Sequence, residues 1–173
     1  MAGCFGTNRH LRMEFTFTSH CFQDTIAFGR LLGSVLKKGN TLGITGDLGS
    51  GKTCFIKGIA NGLNNIPEND VTSPTFTILQ EYDGALFPLY HFDVYRLSGV
   101  DDLETIGFHD YIRGDGVAVI EWADKIYEAL PKERLMVSID FLSEDERRFT
   151  CVATGEESIE LLEKFQALCG QVT

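Results

Sequence analysis

The chain has 173 residues, a length typical of a single domain of roughly 100–200 residues. Its hydrophobic fraction of 43% and charged fraction of 23% are close to those of globular proteins, which excludes a disordered, collagen-like or disulfide-stapled chain. With 25 acidic and 15 basic residues, the formal net charge of −10 argues against a stand-alone nucleic-acid-binding protein.

Strands and helices alternate in the N-terminal part of the chain. Residues 1–12 contain Arg9 and Arg12 but no hydrophobic segment, so we expect a flexible extension, not a secretory signal, before one domain over residues 13–173. Hydrophobic periodicity then predicts, in chain order, a strand over 13–18, a helix over 24–38 that Gly39 would end, a strand over 41–45 and a helix over 52–63.

The C-terminal part is predicted to contain two hairpins. The dipeptide Asp83-Gly84 is a strong turn signal between two β-prone runs. The predicted elements are a hairpin of strands over 75–82 and 85–95, a helix over 101–112, a strand over 117–120, a helix over 122–130, a hairpin over 135–141 and 148–153, and a helix over 156–168 that Thr154 would cap.

Apolar runs and cysteines indicate the environment of the protein. No apolar run approaches the roughly 18 residues that span a bilayer, so we expect no membrane segment. The five cysteines are odd in number and widely spaced, and they lack the Cys/His spacing of a zinc site. This usage favours reduced thiols in a cytoplasmic protein.

The strongest motif is a phosphate-binding loop between the strand over 41–45 and the helix over 52–63. It matches GxxxxGK[ST] with Gly46, Asp47, Leu48, Gly49, Ser50, Gly51, Lys52 and Thr53. Glycines let successive backbone N–H groups face a phosphate, and the helix N-terminus adds positive charge there. Lys52 would reach the β- and γ-phosphates, and the Thr53 hydroxyl would bind Mg²⁺. We therefore predict an α/β, P-loop NTPase-like three-layer domain with a mixed, partly antiparallel sheet.

Such a loop needs an acidic residue at the end of a neighbouring strand to hold the metal ion. Glu121 and Asp93 each follow an apolar strand, and both are candidates. His91 is interpreted as a residue that satisfies a local hydrogen bond, and Trp122 as a core residue. Cys54, in the first turn of the helix, is interpreted as a small buried side chain and not as a reactive thiolate.

Four segments together resemble the TsaE family, formerly YjeE. They are the loop over 46–53, Val71-Thr-Ser-Pro-Thr-Phe-Thr77, Leu89-Tyr-His-Phe-Asp-Val-Tyr-Arg-Leu97 and Ile120-Glu-Trp122. The resemblance extends from about residue 15 to residue 153. The phosphate-binding loop is shared by many NTPases, whereas the other three segments are specific to this family.

The resemblance implies a small ATPase required for threonylcarbamoyladenosine synthesis on the tRNA adenosine next to the anticodon, in tRNAs that read codons beginning with A. ATP and Mg²⁺ would be its cofactors. A TsaB–TsaD protein pair would be its partner and would mediate its contact with tRNA. TsaD would carry the transferase chemistry, and ATP hydrolysis is expected to be slow alone and faster with the partners.

The same resemblance implies roles for individual residues. Lys52 would grip the phosphates, Thr53 and Glu121 would bind Mg²⁺, and Asp93 would lie near the metal or the attacking water. Thr75 belongs to a segment that resembles a switch loop. The nucleotide would contact residues 46–54 and, at its base, Arg147, although the adjacent Arg148 could occupy the same register.

The chain departs from the family pattern at two places. Cys54 stands where the family often has a second threonine. The stretch over residues 19–22, where adenine contacts would fall, matches the family poorly.

Three other functions compete with a switch ATPase. A GTPase would need an N-K-x-D element, which residues 124–125 do not provide. A small-molecule kinase would need an arginine-rich lid, and the acidic turn over 143–146 is short for one. A non-catalytic nucleotide-dependent module would need no water-activating residue, so Asp93 distinguishes it from an ATPase.

Overall fold

The computed structural model, which describes residues 11–172, is built on a seven-stranded mixed sheet. Its strands are β1 (Arg12–Ser19), β2 (Thr41–Thr45), β3 (Leu79–Tyr82), β4 (Leu89–Asp93), β5 (Val117–Glu121), β6 (Arg134–Phe141) and β7 (Arg147–Thr154). They lie in the order β1-β7-β6-β2-β5-β4-β3. The four central strands β6, β2, β5 and β4 pair in parallel, and the β1–β7, β7–β6 and β3–β4 pairs are antiparallel.

Helices cover both faces of the sheet. They are α1 (Phe22–Val35), α2 (Lys52–Asn64), α3 (Asp102–Thr105), α4 (Phe108–Ile112) and α5 (Glu156–Val172), with 3₁₀ segments over Glu68–Asp70 and Ala123–Ala129. One hydrophobic core joins α1, α2 and α5 to the sheet, and a second joins α3, α4 and the Ala123–Ala129 segment to its other face. The predicted three-layer α/β fold is thus confirmed. None of the helices among the described residues has the length and apolar character needed to cross a membrane.

Helices α1 and α2 approach each other through glycine. Gly29 and Gly33 lie one turn apart on α1, and Gly58 and Gly62 lie one turn apart on α2. A Cβ atom added at any of these four positions would collide with a backbone carbonyl oxygen of the other helix. The two backbones are therefore in direct contact, which fixes the position of α2 and of the loop that precedes it.

The first predicted hairpin is shorter than the sequence indicates. Strands β3 and β4 do pair, with Tyr82 opposite Leu89, but a six-residue connection over 83–88 joins them where a tight Asp83-Gly84 turn was predicted. Residues 75–78 form a turn and not a strand. The hairpin of β6 and β7 is confirmed.

Several predicted helices differ in form. Helix α1 ends at Val35, four residues before Gly39. The helix predicted over 101–112 is split into α3 and α4 because Gly107 has a left-handed φ of +65°. The segment predicted as a helix over 122–130 is 3₁₀, with a kink at Ile126.

The chain termini of the domain also differ from the prediction. Thr154, the predicted cap of α5, is instead the last residue of β7. At the start of α5, the Ser158 N–H donates to the Glu133 carboxylate at 3.4 Å. The extension predicted over residues 1–12 lies outside the described residues except at 11–12, where Arg12 already belongs to β1.

Candidate functional site

The glycine-rich turn between β2 and α2 contains three glycines in conformations that other residues rarely adopt. Gly46, Gly49 and Gly51 have φ angles of +142°, +79° and +104°. A Cβ at Gly46 would also collide with the Ile139 carbonyl oxygen and the Ser50 side chain. The first N–H groups of α2 have no partner within the helix, and the helix dipole adds positive charge at the same point. This turn can therefore hold an anion.

The ammonium group of Lys52 lies over this turn. Lys52 is 5% exposed, and its Nζ donates hydrogen bonds to the carbonyl oxygens of Gly46 at 2.7 Å and Asp47 at 2.8 Å. The same Nζ lies 3.7 Å from the centroid of the Trp122 ring, in cation–π geometry. Burial lowers the pKa of Lys52, and nearby carboxylates, Glu121 first among them, oppose this effect. A phosphate could replace the two carbonyl acceptors.

Thr53 and Glu121 bring oxygen ligands together beside Lys52. Thr53 lies in the first turn of α2, and Glu121 ends β5, the neighbour of β2. The Thr53 hydroxyl donates to the Glu121 carboxylate, at 3.0 Å from Oε1 and 3.2 Å from Oε2. Hydroxyl and carboxylate oxygens suit Mg²⁺, which is usually held by one or two protein groups together with phosphates and water. Within residues 11–172, no group of three or more His, Cys, Asp or Glu side chains could hold a metal ion.

Asp93 connects the end of β4 to the segment over 73–75. It lies opposite Glu121 in the parallel register of β4 and β5. Its Oδ2 accepts hydrogen bonds from the hydroxyls of Ser73 at 2.6 Å and Thr75 at 2.8 Å, and its Oδ1 accepts the Tyr95 N–H at 3.0 Å. The carboxylate of Asp93 therefore anchors the predicted switch segment.

These side chains line one cleft of about 380 Å³ at the carboxyl ends of β2, β5 and β4. The cleft is lined by Leu48, Gly49, Gly51, Lys52, Thr53, Cys54, Ser73, Thr75, Asp93, Tyr95, Glu121 and Trp122. The structure thus brings Lys52, Thr53, Thr75, Asp93 and Glu121 together with part of the predicted loop, whereas Gly46, Asp47 and Ser50 do not line the cleft. In open α/β sheets, this edge is where ligands bind.

Arg147 lies in an adjacent pocket of about 280 Å³ that Gly49, Gly51 and Cys54 also line. Its Nε donates to the Ser50 carbonyl oxygen at 3.1 Å, and its Nη1 donates to carbonyl oxygens of the turn over 143–146. Arg147, and not Arg148, is therefore the arginine beside the loop. Phe22, from the stretch that matches the family poorly, lines the same pocket.

Cys54 is half-buried between these two pockets. Desolvation raises the pKa of its thiol to about 11, although Lys57 and Arg147 partly oppose the shift. A thiol with this pKa is protonated at neutral pH. This result agrees with the interpretation of Cys54 as a small buried side chain.

Two residues have a larger part in the site than the sequence indicated. Trp122, interpreted as core, lines the cleft and contacts Lys52. His91 was interpreted as satisfying a local hydrogen bond, but its bond is to Glu121 on the neighbouring strand β5, at 2.8 Å from Nε2 to Oε1. Period-two alternation along β4 could have placed His91 on the same face as Asp93. No pattern in the sequence predicts the contact between Trp122 and Lys52.

Comparisons with known proteins bear on the family and fold of the chain. The family described as "Threonylcarbamoyl adenosine biosynthesis protein TsaE" matches residues 19–149. The tRNA threonylcarbamoyladenosine biosynthesis protein TsaE of Bacillus subtilis is 41% identical over 151 residues, which are 87% of this chain and 89% of the relative. The Treponema pallidum protein of the same name is 41% identical over 76% of this chain and 96% of its own length. The crystal structure of Bacillus subtilis YdiB superimposes with a TM-score of 0.74 at 37% identity, covering 91% of this chain and 97% of YdiB.

Proposed function

The chain belongs to the TsaE family of threonylcarbamoyl adenosine biosynthesis proteins, and from this premise we propose that it binds and hydrolyses ATP in a complex that modifies tRNA. The product would be threonylcarbamoyladenosine at the tRNA adenosine next to the anticodon, in tRNAs that read codons beginning with A. The observation that carries the proposal is that Lys52, Thr53, Asp93 and Glu121 line one cleft beside a glycine-rich turn.

The residues of the cleft fit ATP and Mg²⁺. The turn over 46–51 and Lys52 would hold the phosphates, and residues 53–54 would also contact the nucleotide. Arg147 would lie toward the base. Thr53 and Glu121 would hold Mg²⁺, which neutralises charge on the phosphates when it is bound. Asp93 would orient the attacking water, and Thr75 would move with the segment that Asp93 anchors.

A partner protein is expected to complete this site. Hydrolysis by such domains depends on neutralising the charge that develops on the γ-phosphate. Among the described residues that line the cleft, Lys52 supplies the positive charge. Arg96 follows Asp93 closely in sequence, but its guanidinium lies 4.2 Å from the centroid of the Phe76 ring. We therefore propose that a TsaB–TsaD pair stimulates hydrolysis. We place the complex in the cytoplasm, which the free thiols of Cys21, Cys54 and Cys151 support.

Lys52→Ala tests the proposal. This variant removes the cation that faces the phosphates, so ATP hydrolysis should fall by at least about 100-fold while the fold persists. Lys57→Ala is the matched control, because Lys57 lies on the same helix outside the cleft. The measurement is steady-state phosphate release with saturating Mg·ATP, with and without the TsaB–TsaD pair.

The wild-type protein should hydrolyse ATP slowly alone and faster with the pair. Supply of missing groups by a partner raises hydrolysis by roughly 10³–10⁵ in related systems, so even partial completion would be measurable. Equal rates with and without the pair would contradict the switch function, and phosphate transfer to a small molecule would favour a kinase. Undiminished hydrolysis by Lys52→Ala would exclude this cleft as the catalytic site.

A further inference from the structure

His91 is a buried histidine to which the proposed hydrolysis assigns no role. It is fully buried on β4, between Leu89 and Asp93 on the face of the sheet that α2 covers. Its partner in the strand register is Val119. Because Leu89 and Val119 beside it belong to the hydrophobic core, the buried imidazole needs a hydrogen-bond partner to offset its desolvation.

The hydrogen bonds of His91 are made on one side only. Nε2 lies 2.8 Å from Oε1 of Glu121, and Nδ1 is buried without a hydrogen-bond partner among the described residues. Because a carboxylate only accepts hydrogen bonds, Nε2 carries the proton in this contact. Burying Nδ1 without a partner is unfavourable. Among the described residues, the bond to Glu121 is therefore the hydrogen bond that offsets the burial of this ring.

The Glu121 carboxylate is consequently held by two side chains, His91 and Thr53. Oε1 accepts from His91 on the sheet side and from Thr53 at 3.0 Å, whereas Oε2 accepts from Thr53 at 3.2 Å. The Tyr82 ring lies beside the imidazole, with a centroid distance of 6.5 Å. The orientation of the carboxylate toward Thr53 therefore depends on His91.

We propose that His91 is a positioning residue for the divalent cation of the bound nucleotide, acting through Glu121. This inference rests on the proposed function, in which Thr53 and Glu121 hold Mg²⁺. Groups that orient a metal ligand commonly change metal affinity by 10–100-fold when they are removed. His91 itself contacts neither nucleotide nor metal and should not affect nucleotide binding when Mg²⁺ is absent.

The test is the effect of Mg²⁺ on ADP binding by the full chain, measured by titration calorimetry with Mg²⁺ and with EDTA. His91→Phe keeps a ring but removes the hydrogen bond, so it should reduce the tightening caused by Mg²⁺ by about tenfold and leave binding in EDTA unchanged. His91→Gln, whose amide reaches as far as Nε2, should keep most of the wild-type effect. Phe92→Leu, on the same strand but in the opposite core, is the packing control and should keep the full Mg²⁺ effect.

The outcomes separate this inference from the proposed function. If the wild type does not bind ADP, or if Glu121→Gln has the wild-type Mg²⁺ effect, the proposed metal site itself fails. If Glu121→Gln loses the effect and His91→Phe keeps it, only the role of His91 is overturned. If Phe92→Leu or His91→Gln lost as much of the Mg²⁺ effect as His91→Phe does, the loss would be a general packing effect, and the positioning role of His91 would be overturned. If His91→Phe does not fold, His91→Asn, whose amide is too short to reach Glu121, replaces it with the same expected loss.

Discussion

Ile78 and Trp122 have left-handed backbone conformations, with φ angles of +68° and +63°. Such conformations cost residues with side chains roughly 1–2 kcal/mol. Both residues adjoin the cleft: the Ile78 carbonyl oxygen accepts the Asp93 N–H at 2.9 Å, and Trp122 follows Glu121 directly. Strain of this kind is common at functional sites, where the surrounding structure maintains it. Here it turns the chain immediately beside the two acidic residues.

At the scale of single residues, a spaced motif and strand ends were enough to predict Lys52 and Glu121 as site candidates, and the structure places both in the cleft. The bond from His91 to Glu121 and the contact of Trp122 with Lys52 were not predicted, because each joins residues at least 30 positions apart. Contacts of this kind depend on strand register and backbone direction, which short patterns do not encode.

The first residue-scale prediction concerns the anchor at Asp93. Asp93→Asn weakens the charge-assisted hydrogen bonds from Ser73 and Thr75, each worth roughly 1.5–3 kcal/mol. The segment over 73–78 should then open more often, and the Ile78 N–H, bonded to Pro74, should exchange with deuterium at least tenfold faster. Hydrogen–deuterium exchange measures this, with Asp124→Asn, a neighbouring exposed carboxylate, as the control. Unchanged exchange at Ile78 would remove Asp93 as the anchor.

A second prediction follows from the buried thiol of Cys54. Its pKa of about 11, against 9.0 for an ordinary thiol, means that the thiolate fraction at pH 8 is lower by about 100-fold. Alkylation of Cys54 should accelerate about tenfold per pH unit from pH 8 to pH 10, where an ordinary thiol already approaches its plateau. Iodoacetamide labelling followed by mass spectrometry of the Cys54 peptide tests this, with a short unfolded cysteine peptide as reference. A plateau near pH 9 would contradict the raised pKa.

At the scale of elements, position was easier to predict than form. The five-residue strand β2, directly before the glycine-rich turn, was predicted with its observed bounds. The single helix predicted over 101–112 was wrong because Gly107 adopts a left-handed conformation that interrupts it. The tight turn at Asp83-Gly84 was wrong because the two strands begin pairing only at Tyr82 and Leu89. Local turn residues therefore indicated the hairpin but not its length.

The contact between α1 and α2 gives an element-scale prediction. Gly58→Ala favours the helix by roughly 1 kcal/mol through propensity, but its Cβ would collide with the Ile26 carbonyl oxygen of α1. Overpacking of this kind costs roughly 1–3 kcal/mol, so the free energy of unfolding should fall. Gly170→Ala on α5 meets no atom within 4 Å and should raise it by up to about 1 kcal/mol. Urea unfolding measures both, and a stabilised Gly58→Ala would show that the two helices are not in backbone contact.

At the scale of the whole molecule, the sequence predicts one α/β domain with a mixed sheet, but not the order of the strands. The N-terminal strand β1 lies at one edge, paired with β7 from Arg12 opposite Thr154 to Ser19 opposite Arg147. Because β1 and β7 come from opposite ends of the chain, their pairing depends on which strand edges the rest of the sheet leaves open. Hydrophobic alternation identifies a strand and its buried face, but it does not identify its neighbour.

The last prediction is that the isolated chain binds tRNA weakly, and that a TsaB–TsaD pair provides most of the tRNA contact. Affinity for nucleic acid comes largely from basic side chains that replace phosphate counterions, and this chain has a net charge of −10. Several basic groups are also engaged already: Arg12, Arg30 and Lys38 each pair with a carboxylate. Fluorescence anisotropy with labelled tRNA at physiological salt should give a Kd above about 10 μM for the chain alone. The TsaB–TsaD pair serves as the positive control, and submicromolar binding by the isolated chain would contradict the charge argument.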